Sequence, residues 1–370
     1  MAVLTKFTYG MPTKVFYGPE CVKSHTSDWV LGKKALIVTG RSSAKASGAL
    51  DDVLDSIGVE YELFGKVENN PSLATVAEGG RLAREAGCDF VVAIGGGSPL
   101  DAAKVMAVLA RNEKDPLELY SGGWENPALP VVAIPTTAGT GSEVTQYAVL
   151  TIDKDQTKRG LGGYDMFPQV ALLDPKYTES LSPEITIDTA VDALSHLVEG
   201  YLSMRVNVIA SGLALQGMRL WGKCIPALRN RGFDRTVRAE LMIASTLGGM
   251  TIAQTGTTVV HAMGYPLTYF HGLPHGQANG LLFASYLKYV HQAAPQKVGE
   301  VMVALGLTSL LEFEQLMEDL FKDVRRELQI NPADLPAWAQ RAAATKNAAN
   351  TIGNPGPRTV EEIYRQSLLG

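Results

Sequence analysis

Residues 90–104 read FVVAIGGGSPLDAAK, and this stretch decides the fold. An apolar run at 90–94 stops at three glycines, and we predict a strand, a turn, and a helix with Ser98 as its N-cap and Pro99 in its first position. Glycines let a ligand approach the backbone, and the positive end of a helix suits a pyrophosphate. The turn is therefore a candidate phosphate site, although a purely structural turn has the same composition.

The same rhythm of strand, turn and helix runs through the first half of the chain. Apolar runs at 34–39, 60–64, 131–134 and 170–174 join the run at 90–94 as predicted strands. Their continuous apolar character is typical of parallel strands that are covered on both faces. From residue 183 onward the pattern is helical. We therefore predict an α/β nucleotide-binding domain over 1–181 and an all-helical metal and substrate domain over 182–370, packed closely with a cleft between them.

Composition argues against several classes of function. Of the 370 residues, 46% are hydrophobic and 19% charged, and the net charge is −5, so no basic stripe suits nucleic acid or an anionic membrane. Cys21, Cys88 and Cys224 are widely spaced, which predicts reduced, mostly buried thiols. The N-terminus lacks a signal-peptide pattern, and no apolar run reaches the ~18 residues that span a bilayer. We expect a cytoplasmic protein that acts on small molecules.

Two further turns follow predicted strands, at the sheet edge where such folds bind ligands. Residues 134–145 read IPTTAGTGSEVT, and their hydroxyls and amides suit ribose or phosphate, although loops commonly have this composition. Residues 39–45 read TGRSSAK, and Gly40 lies where an acidic residue would bind a ribose 2′-hydroxyl and repel a 2′-phosphate. The residues after Gly40 favour a phosphate, so we predict NADPH rather than NADH. They are Arg41, Ser42, Ser43 and Lys45.

One aspartate and three histidines recur at spacings that suit a metal site. Asp192 and His196 are four residues apart in VDALSHLVEG and share one helical face. His261 and His275 begin and end HAMGYPLTYFHGLPH, where a helix and a Pro/Gly turn allow the chain to return. One carboxylate and three imidazoles are compatible with Fe²⁺ or Zn²⁺. Spacing alone leaves an ordinary ion pair as the alternative and leaves His271 as a further candidate ligand.

In combination, these motifs resemble the iron-containing (group III) alcohol dehydrogenases. The similarity runs from FTYGMPTKVFYGPE through GGGSPLDAAK, IPTTAGTGSEVT, DALSHLVEGYLS and HGLPHGQANGLL to NPGPRTVEEIYRQSL. It implies a dehydroquinate synthase-like fold, in which an α/β dinucleotide-binding domain with a parallel sheet flanked by helices precedes an all-α metal-binding domain. It also implies an enzyme that interconverts a small alcohol and its aldehyde, and a homodimer or larger homo-oligomer.

The resemblance also implies roles for particular residues. It assigns the metal, Fe²⁺ or Zn²⁺, to Asp192, His196, His261 and His275. It assigns cofactor contacts to Asn70, Gly96, Gly97, Ser98, Asp101, Thr136, Thr137, Thr145, Tyr147 and Lys158. Gly40 replaces the aspartate of NAD-preferring relatives, which favours NADP. Many relatives place a proton-relay histidine where this chain has Tyr265, so Tyr265, His271, or solvent with the cofactor ribose are the candidates for that role.

We therefore expect a metal-dependent, NAD(P)-linked alcohol dehydrogenase or aldehyde reductase. A glycerol or propanediol dehydrogenase is an alternative within the superfamily. A dehydroquinate synthase-like lyase is another, but it should need more basic residues for a phosphorylated substrate. The aromatic and small residues between 261 and 275 suit a small apolar alcohol better. A catalytically silent nucleotide-binding subunit is the alternative outside the enzymes, and four intact ligand positions argue against it.

Overall fold

In the computed structural model, which describes residues 6–369, a parallel sheet of six strands lies at the centre of the first half of the chain. The spatial order of the strands is β1-β8-β5-β4-β2-β3. They are β1 (Lys14–Tyr17), β2 (Lys34–Gly40), β3 (Glu60–Val67), β4 (Phe90–Gly95), β5 (Val131–Pro135) and β8 (Val170–Leu173). A separate antiparallel hairpin pairs β6 (Tyr147–Ile152) with β7 (Thr157–Gly162). The predicted parallel sheet is therefore confirmed.

Helices flank this sheet, and apolar side chains pack on both of its faces. Leu36 and Val38 of β2 belong to one core cluster, whereas Ile37 belongs to the other, as the alternation of side chains along a strand requires. Every residue of β4, β5 and β8 is buried, which explains their continuous apolar sequences. The helices of this half are α1 (Cys21–Ser24), α2 (Thr26–Trp29), α3 (Ser43–Ala46), α4 (Ala49–Ser56), α5 (Leu73–Glu85), α6 (Gly97–Arg111) and α7 (Leu119–Gly122).

The start of α6 differs from the sequence prediction. The helix begins at Gly97 with Gly96 as its N-cap, so the prediction of Ser98 as the cap is wrong. The Ser98 hydroxyl oxygen instead accepts a hydrogen bond from the backbone N–H of Asn70, at 3.0 Å. A short glycine-rich turn leaves the first helical amides without side-chain caps, and Ser98 is used to fix the neighbouring loop.

The second half of the chain is built from helices, as predicted. They are α8 (Pro183–Tyr201), α9 (Val208–Lys223), α10 (Ile225–Asn230), α11 (Arg235–Thr255), α12 (Val259–His271), α13 (His275–Ala293), α14 (Pro295–Leu305), α15 (Leu310–Glu327), α16 (Leu335–Ala343), α17 (Lys346–Ala349) and α18 (Pro357–Leu368). Throughout the described part of the chain, no helix combines the length and the apolar character that crossing a bilayer requires.

Helix α8 is the most deeply buried element of the helical half. Its start is fixed by Ser182, whose hydroxyl accepts a hydrogen bond from the N–H of Ile185, and by Pro183 in the first turn. Helix α11 packs closely against it at Gly248, where a β-carbon would lie 3.3 Å from Cβ of His196. Such close packing fixes the position of α8 relative to its neighbours.

The chain divides into two compact units, one of Met11–Leu181 and one of Ser182–Gly370 together with the residues up to Gly10. All three cysteines are free and buried, as the sequence predicts. Burial raises the pKa of both the Cys21 and the Cys224 thiol to about 12. These side chains therefore remain protonated thiols at neutral pH.

Candidate functional site

Three helices of the helical unit bring the four predicted metal ligands together. Asp192 and His196 lie one turn apart on α8, His261 lies in the first turn of α12, and His275 is the first residue of α13. A short turn joins α12 to α13, so the chain returns to the same place after His271. The sequence suggested that the chain turns back between His261 and His275, and the structure shows this turn.

The donor atoms of these residues converge. One donor atom each from Asp192, His261 and His275 lie within 4.8 Å of one another. Nε2 of His261 lies 4.0 Å from Oδ1 of Asp192 and 3.0 Å from Nε2 of His196. Ligand bonds of ~2.0–2.2 Å place neighbouring donors of one ion roughly 3–4 Å apart. This donor set thus fits a borderline divalent ion such as Fe²⁺ or Zn²⁺.

Three of the four predicted ligands are shielded from solvent, and His275 is half-buried. Asp192, His196 and His261 are 3%, 5% and 4% exposed, and the His196 and His261 rings stack with centroids 4.8 Å apart. Burial alone lowers the pKa of His261, but the nearby carboxylates of Glu199 and Asp192 outweigh it and raise the pKa. The raised pKa favours the protonated ring. A bound cation would displace the proton, because an imidazole must be neutral to act as a metal ligand.

Two neighbouring residues that the sequence did not single out complete the centre. Glu199, one turn beyond His196 on α8, has its Oε1 2.5 Å from Nδ1 of His261. Asn279 of α13 is fully buried, and its Nδ2 lies 3.4 Å from Oδ1 of Asp192. Oδ1 of Asn279 has no hydrogen-bond partner among the described residues. The spacing of Asp192, His196 and Glu199 at i, i+4 and i+7 is the signal that would have found Glu199.

Close backbone packing places His275 next to α8. A β-carbon at Gly276 would lie 2.6 Å from the carbonyl carbon of Asp188 and would overlap its oxygen. Gln277 strengthens the same contact, because its Nε2 donates a hydrogen bond to Oδ2 of Asp188 at 3.1 Å. Glycine at 276 is thus required for α13 to begin this close to the helix that carries Asp192.

The two candidates for the proton relay lie in different surroundings. The Tyr265 ring is parallel to the His275 ring, with centroids 6.0 Å apart and an interplanar angle of 5°. His271, the last residue of α12, packs edge-on against Trp338 with centroids 5.8 Å apart. Tyr265 therefore lies beside a predicted ligand, whereas the ring contact of His271 is with an aromatic side chain of α16.

In the α/β unit, the first two glycine-rich turns lie against each other. The backbone N–H of Thr136 donates to the carbonyl oxygen of Gly95 at 2.9 Å. A β-carbon at Gly97 would lie 2.6 Å from Cγ2 of Thr140, and one at Gly96 would lie 3.2 Å from Cγ2 of Thr137. The buried Oγ1 of Thr136 has no hydrogen-bond partner among the described residues. This backbone-lined edge and the orphaned hydroxyl fit a nucleotide phosphate or ribose.

A second group of predicted cofactor residues forms one hydrogen-bonded set. Asn70 has a left-handed backbone, with φ of 59°, and its N–H donates to Ser98. Lys158 Nζ donates to Oδ1 of Asn70 at 2.7 Å. The Thr151 hydroxyl donates to the carbonyl oxygen of Asn70 at 2.9 Å, which ties this loop to β6. The structure therefore brings Asn70, Ser98 and Lys158 together at the start of α6.

Asp101 and Thr145 are engaged by a buried lysine network. Oδ1 of Asp101 accepts from the Ser142 hydroxyl at 2.5 Å, and Oδ2 accepts from the N–H of Val149 at 2.8 Å. Lys104, which the sequence did not single out, donates to Ser142, to Thr145 and to the carbonyl oxygen of Tyr147, at 2.7, 3.2 and 2.8 Å. Lys104 is 0% exposed, and burial lowers its pKa to about 8. The sequence feature that could have identified Lys104 is its spacing from Asp101, three residues earlier on the same helix.

The third turn, after β2, meets the glycine-rich turn through Pro99. A β-carbon at Gly40 would lie 3.6 Å from Cγ of Pro99, and one at Gly95 would lie 2.6 Å from it. Arg41 and Ser42 are exposed, and Ser43 begins α3. Lys45 Nζ lies 2.5 Å from Oδ1 of Asp51, so it already has an anionic partner. A β-carbon at Gly40 would therefore meet its nearest neighbours at ordinary van der Waals distances.

Comparisons with known proteins identify the family to which both halves of the chain are similar. The sequence model described as "Iron-containing alcohol dehydrogenase" matches residues 12–175, and the one described as "Fe-containing alcohol dehydrogenase family, C-terminal" matches residues 186–368. A 1,3-propanediol dehydrogenase of Citrobacter freundii is 32% identical over 98% of this chain and 99% of its own. An NADPH-dependent butanol dehydrogenase of Clostridium saccharobutylicum is 28% identical over 94% of this chain and 90% of its own. The crystal structure of an iron-containing alcohol dehydrogenase from Thermotoga maritima has a TM-score of 0.91 and 40% identity, covering 99% of this chain and 100% of that one.

Proposed function

Because this chain belongs to the iron-containing alcohol dehydrogenase family, it is an alcohol oxidoreductase, and we propose that it reduces small aldehydes with NADPH at a divalent metal. The observation that carries the proposal is the convergence of donor atoms from Asp192, His261 and His275 within 4.8 Å, next to His196. We assign the metal to these four side chains. We assign the cofactor to the α/β unit, and the substrate, like the metal, to the helical unit.

The chain's own residues hold and orient the reacting groups. A divalent ion held there would supply a Lewis acid for the aldehyde oxygen, and a bound nicotinamide would supply the hydride. Asp192 and the three imidazoles would hold the ion, and the burial of Asp192, His196 and His261 would strengthen its field by excluding water. Tyr265, beside His275, is our candidate for delivering the proton to the product oxygen. His271 is the second candidate.

Three observations support NADPH as the preferred cofactor. Gly40 offers no carboxylate that would repel a 2′-phosphate. Arg41, next to it, is an exposed cation. The butanol dehydrogenase relative is NADPH-dependent by name. Ser42, Ser43 and Lys45 complete the proposed phosphate subsite, and the other proposed contacts are Asn70, Gly96, Gly97, Ser98, Asp101, Thr136, Thr137, Thr145, Tyr147 and Lys158.

The substrate is a small alcohol and aldehyde pair. A short diol is the second candidate, and it is favoured by the relative named 1,3-propanediol dehydrogenase. The family assignment favours a dehydrogenase over the lyase and over a silent subunit. Following the resemblance, we also propose a cytoplasmic homodimer or larger homo-oligomer.

Removal of one ligand tests the proposal. His275→Ala should abolish NADPH-dependent reduction of a panel of small aldehydes in protein stripped of metal and reloaded with Fe²⁺ or Zn²⁺, while the helical unit remains folded. His291→Ala is the matched control, because His291 lies on the same helix at an exposed position. Parallel assays with NADH test the cofactor preference. Full activity of His275→Ala with no bound metal would refute the assignment.

A further inference from the structure

Glu199 is a fully buried carboxylate at the back of the metal centre. Its exposed fraction is 0%, and its partners lie at the start of α12. Oε1 lies 2.5 Å from Nδ1 of His261, and Oε2 accepts from both the N–H and the hydroxyl of Thr258, at 2.7 and 2.6 Å. A carboxylate buried without such partners would strongly destabilise the folded protein. The burial of Glu199 therefore depends on each of these hydrogen bonds.

The directions of these hydrogen bonds follow from the groups that take part. An ionised carboxylate only accepts, so His261 must carry its proton on Nδ1, and the Thr258 hydroxyl must donate to Glu199. The Tyr286 hydroxyl lies 3.0 Å from Oγ1 of Thr258 and therefore donates to it. The chain Tyr286, Thr258, Glu199, His261 has one consistent direction. It leaves the lone pair of His261 on Nε2, the atom that faces His196 and Asp192.

We propose that Glu199 is a positioning residue that fixes the tautomer and ring orientation of His261 and thereby presents Nε2 to the ion. The inference rests on the proposed function, because it takes the ion to lie in this cluster. An imidazole with its proton on Nε2 has no lone pair there and cannot act as a ligand through that atom. Thr258 and Tyr286 act through Glu199, by fixing the position of its second oxygen.

The variant Glu199→Gln tests this, because an amide has one acceptor and one donor end. The backbone N–H of Thr258 cannot change direction, so the amide oxygen should turn toward it. The amide NH₂ then faces His261 and donates to Nδ1, which moves the imidazole proton to Nε2. In full-length, metal-free protein with ¹⁵N-labelled histidine rings, held at a pH high enough that the His261 ring is neutral, the ¹⁵N shifts should report this change of tautomer at His261. Competition with a chromogenic chelator should show zinc affinity reduced about 10- to 100-fold.

Thr258→Val and Thr258→Ser form a second, matched pair. Valine has the shape of threonine without the hydroxyl, whereas serine keeps the hydroxyl, so zinc affinity should fall in Thr258→Val and be restored in Thr258→Ser. Circular dichroism and thermal unfolding establish that each variant is folded. If Glu199→Gln does not fold, this pair decides the question.

The outcomes separate this inference from the proposed function. Wild-type protein that binds zinc, together with His275→Ala that does not, supports the metal site regardless of Glu199. Against that background, folded Glu199→Gln with wild-type zinc affinity overturns the positioning role. Reduced affinity with an unchanged His261 tautomer also overturns it, because the effect would then be structural only. Wild-type protein that binds no zinc overturns both.

Discussion

Replacing Gly276 by alanine should disrupt the proposed metal centre without unfolding the protein. The added methyl carbon would lie 2.6 Å from the carbonyl carbon of Asp188. Carbon atoms in contact normally stay ~3.5 Å apart, and the methyl would also overlap the carbonyl oxygen, so the start of α13 must move by at least about 1 Å relative to α8. His275 moves with it, and metal–ligand distances tolerate only about 0.2 Å.

The expected effects on binding and on stability differ in size. Overpacking of this kind costs about 1–3 kcal/mol, less than the roughly 5–15 kcal/mol that holds a typical domain together. Loss of a ligand should lower zinc affinity at least as much as a change in the surrounding shell does, about 100-fold. Zinc affinity from chelator competition, together with urea unfolding of the metal-free protein, measures both quantities.

Gly212→Ala is the matched control. Gly212 lies within α9, and a β-carbon there meets nothing within 4 Å. Alanine should therefore stabilise the helix by up to about 1 kcal/mol and leave zinc affinity unchanged. Wild-type zinc affinity in Gly276→Ala would refute the argument that close packing of α13 on α8 sets the ligand geometry.

Three other substitutions probe separate features. Lys104→Met should change the pH dependence of stability. The pKa of Lys104 is about 8 in the folded state and 10.5 in the unfolded chain, so between these pH values only the unfolded chain keeps the proton. The unfolding free energy of the wild type should therefore rise relative to that of the variant by about 3 kcal/mol over this range. Parallel urea titrations across that range measure the difference, and a constant difference would contradict the assignment. Gly40→Asp should lower the ratio of kcat/KM with NADPH to kcat/KM with NADH by 10-fold or more, on the order of 1.4 kcal/mol. The reason is that a carboxylate at this position repels a 2′-phosphate. An unchanged ratio would mean that the 2′-phosphate binds elsewhere. Tyr265→Phe keeps the ring beside His275 but removes the hydroxyl, so kcat should fall about 100-fold with zinc affinity intact, and an unchanged kcat would leave His271 or solvent as the proton donor.

Much of the fold could be predicted because it depends on local sequence. Each predicted strand overlaps an observed one, since buried parallel strands have continuous apolar runs. The edge strand β1 and the hairpin of β6 and β7 were not predicted. In β6, buried and half-buried residues alternate, and its position is set by a distant contact, the bond from the N–H of Thr151 to the carbonyl oxygen of Pro71. Only the folded chain supplies that information.

Like the fold, the candidate site has features that the sequence predicted and features that it did not. The family and its oxidoreductase activity, predicted from motifs, are confirmed by the matches over both halves of the chain. The proposed metal ligands stand out because histidine is rare here, with only six in the chain. Glu199 and Lys104 were missed because a carboxylate or an amine on a helix usually faces solvent. Their burial, at 0% exposure, depends on how helices and loops pack around them.

The buried cysteines have a practical consequence for work with this enzyme. Attack by oxidants and alkylating agents requires the thiolate, and with their pKa raised to about 12 the Cys21 and Cys224 side chains hardly form it at neutral pH. Activity lost on standing in air, or on treatment with a thiol-modifying reagent, is therefore not expected to originate at Cys21 or Cys224 at neutral pH.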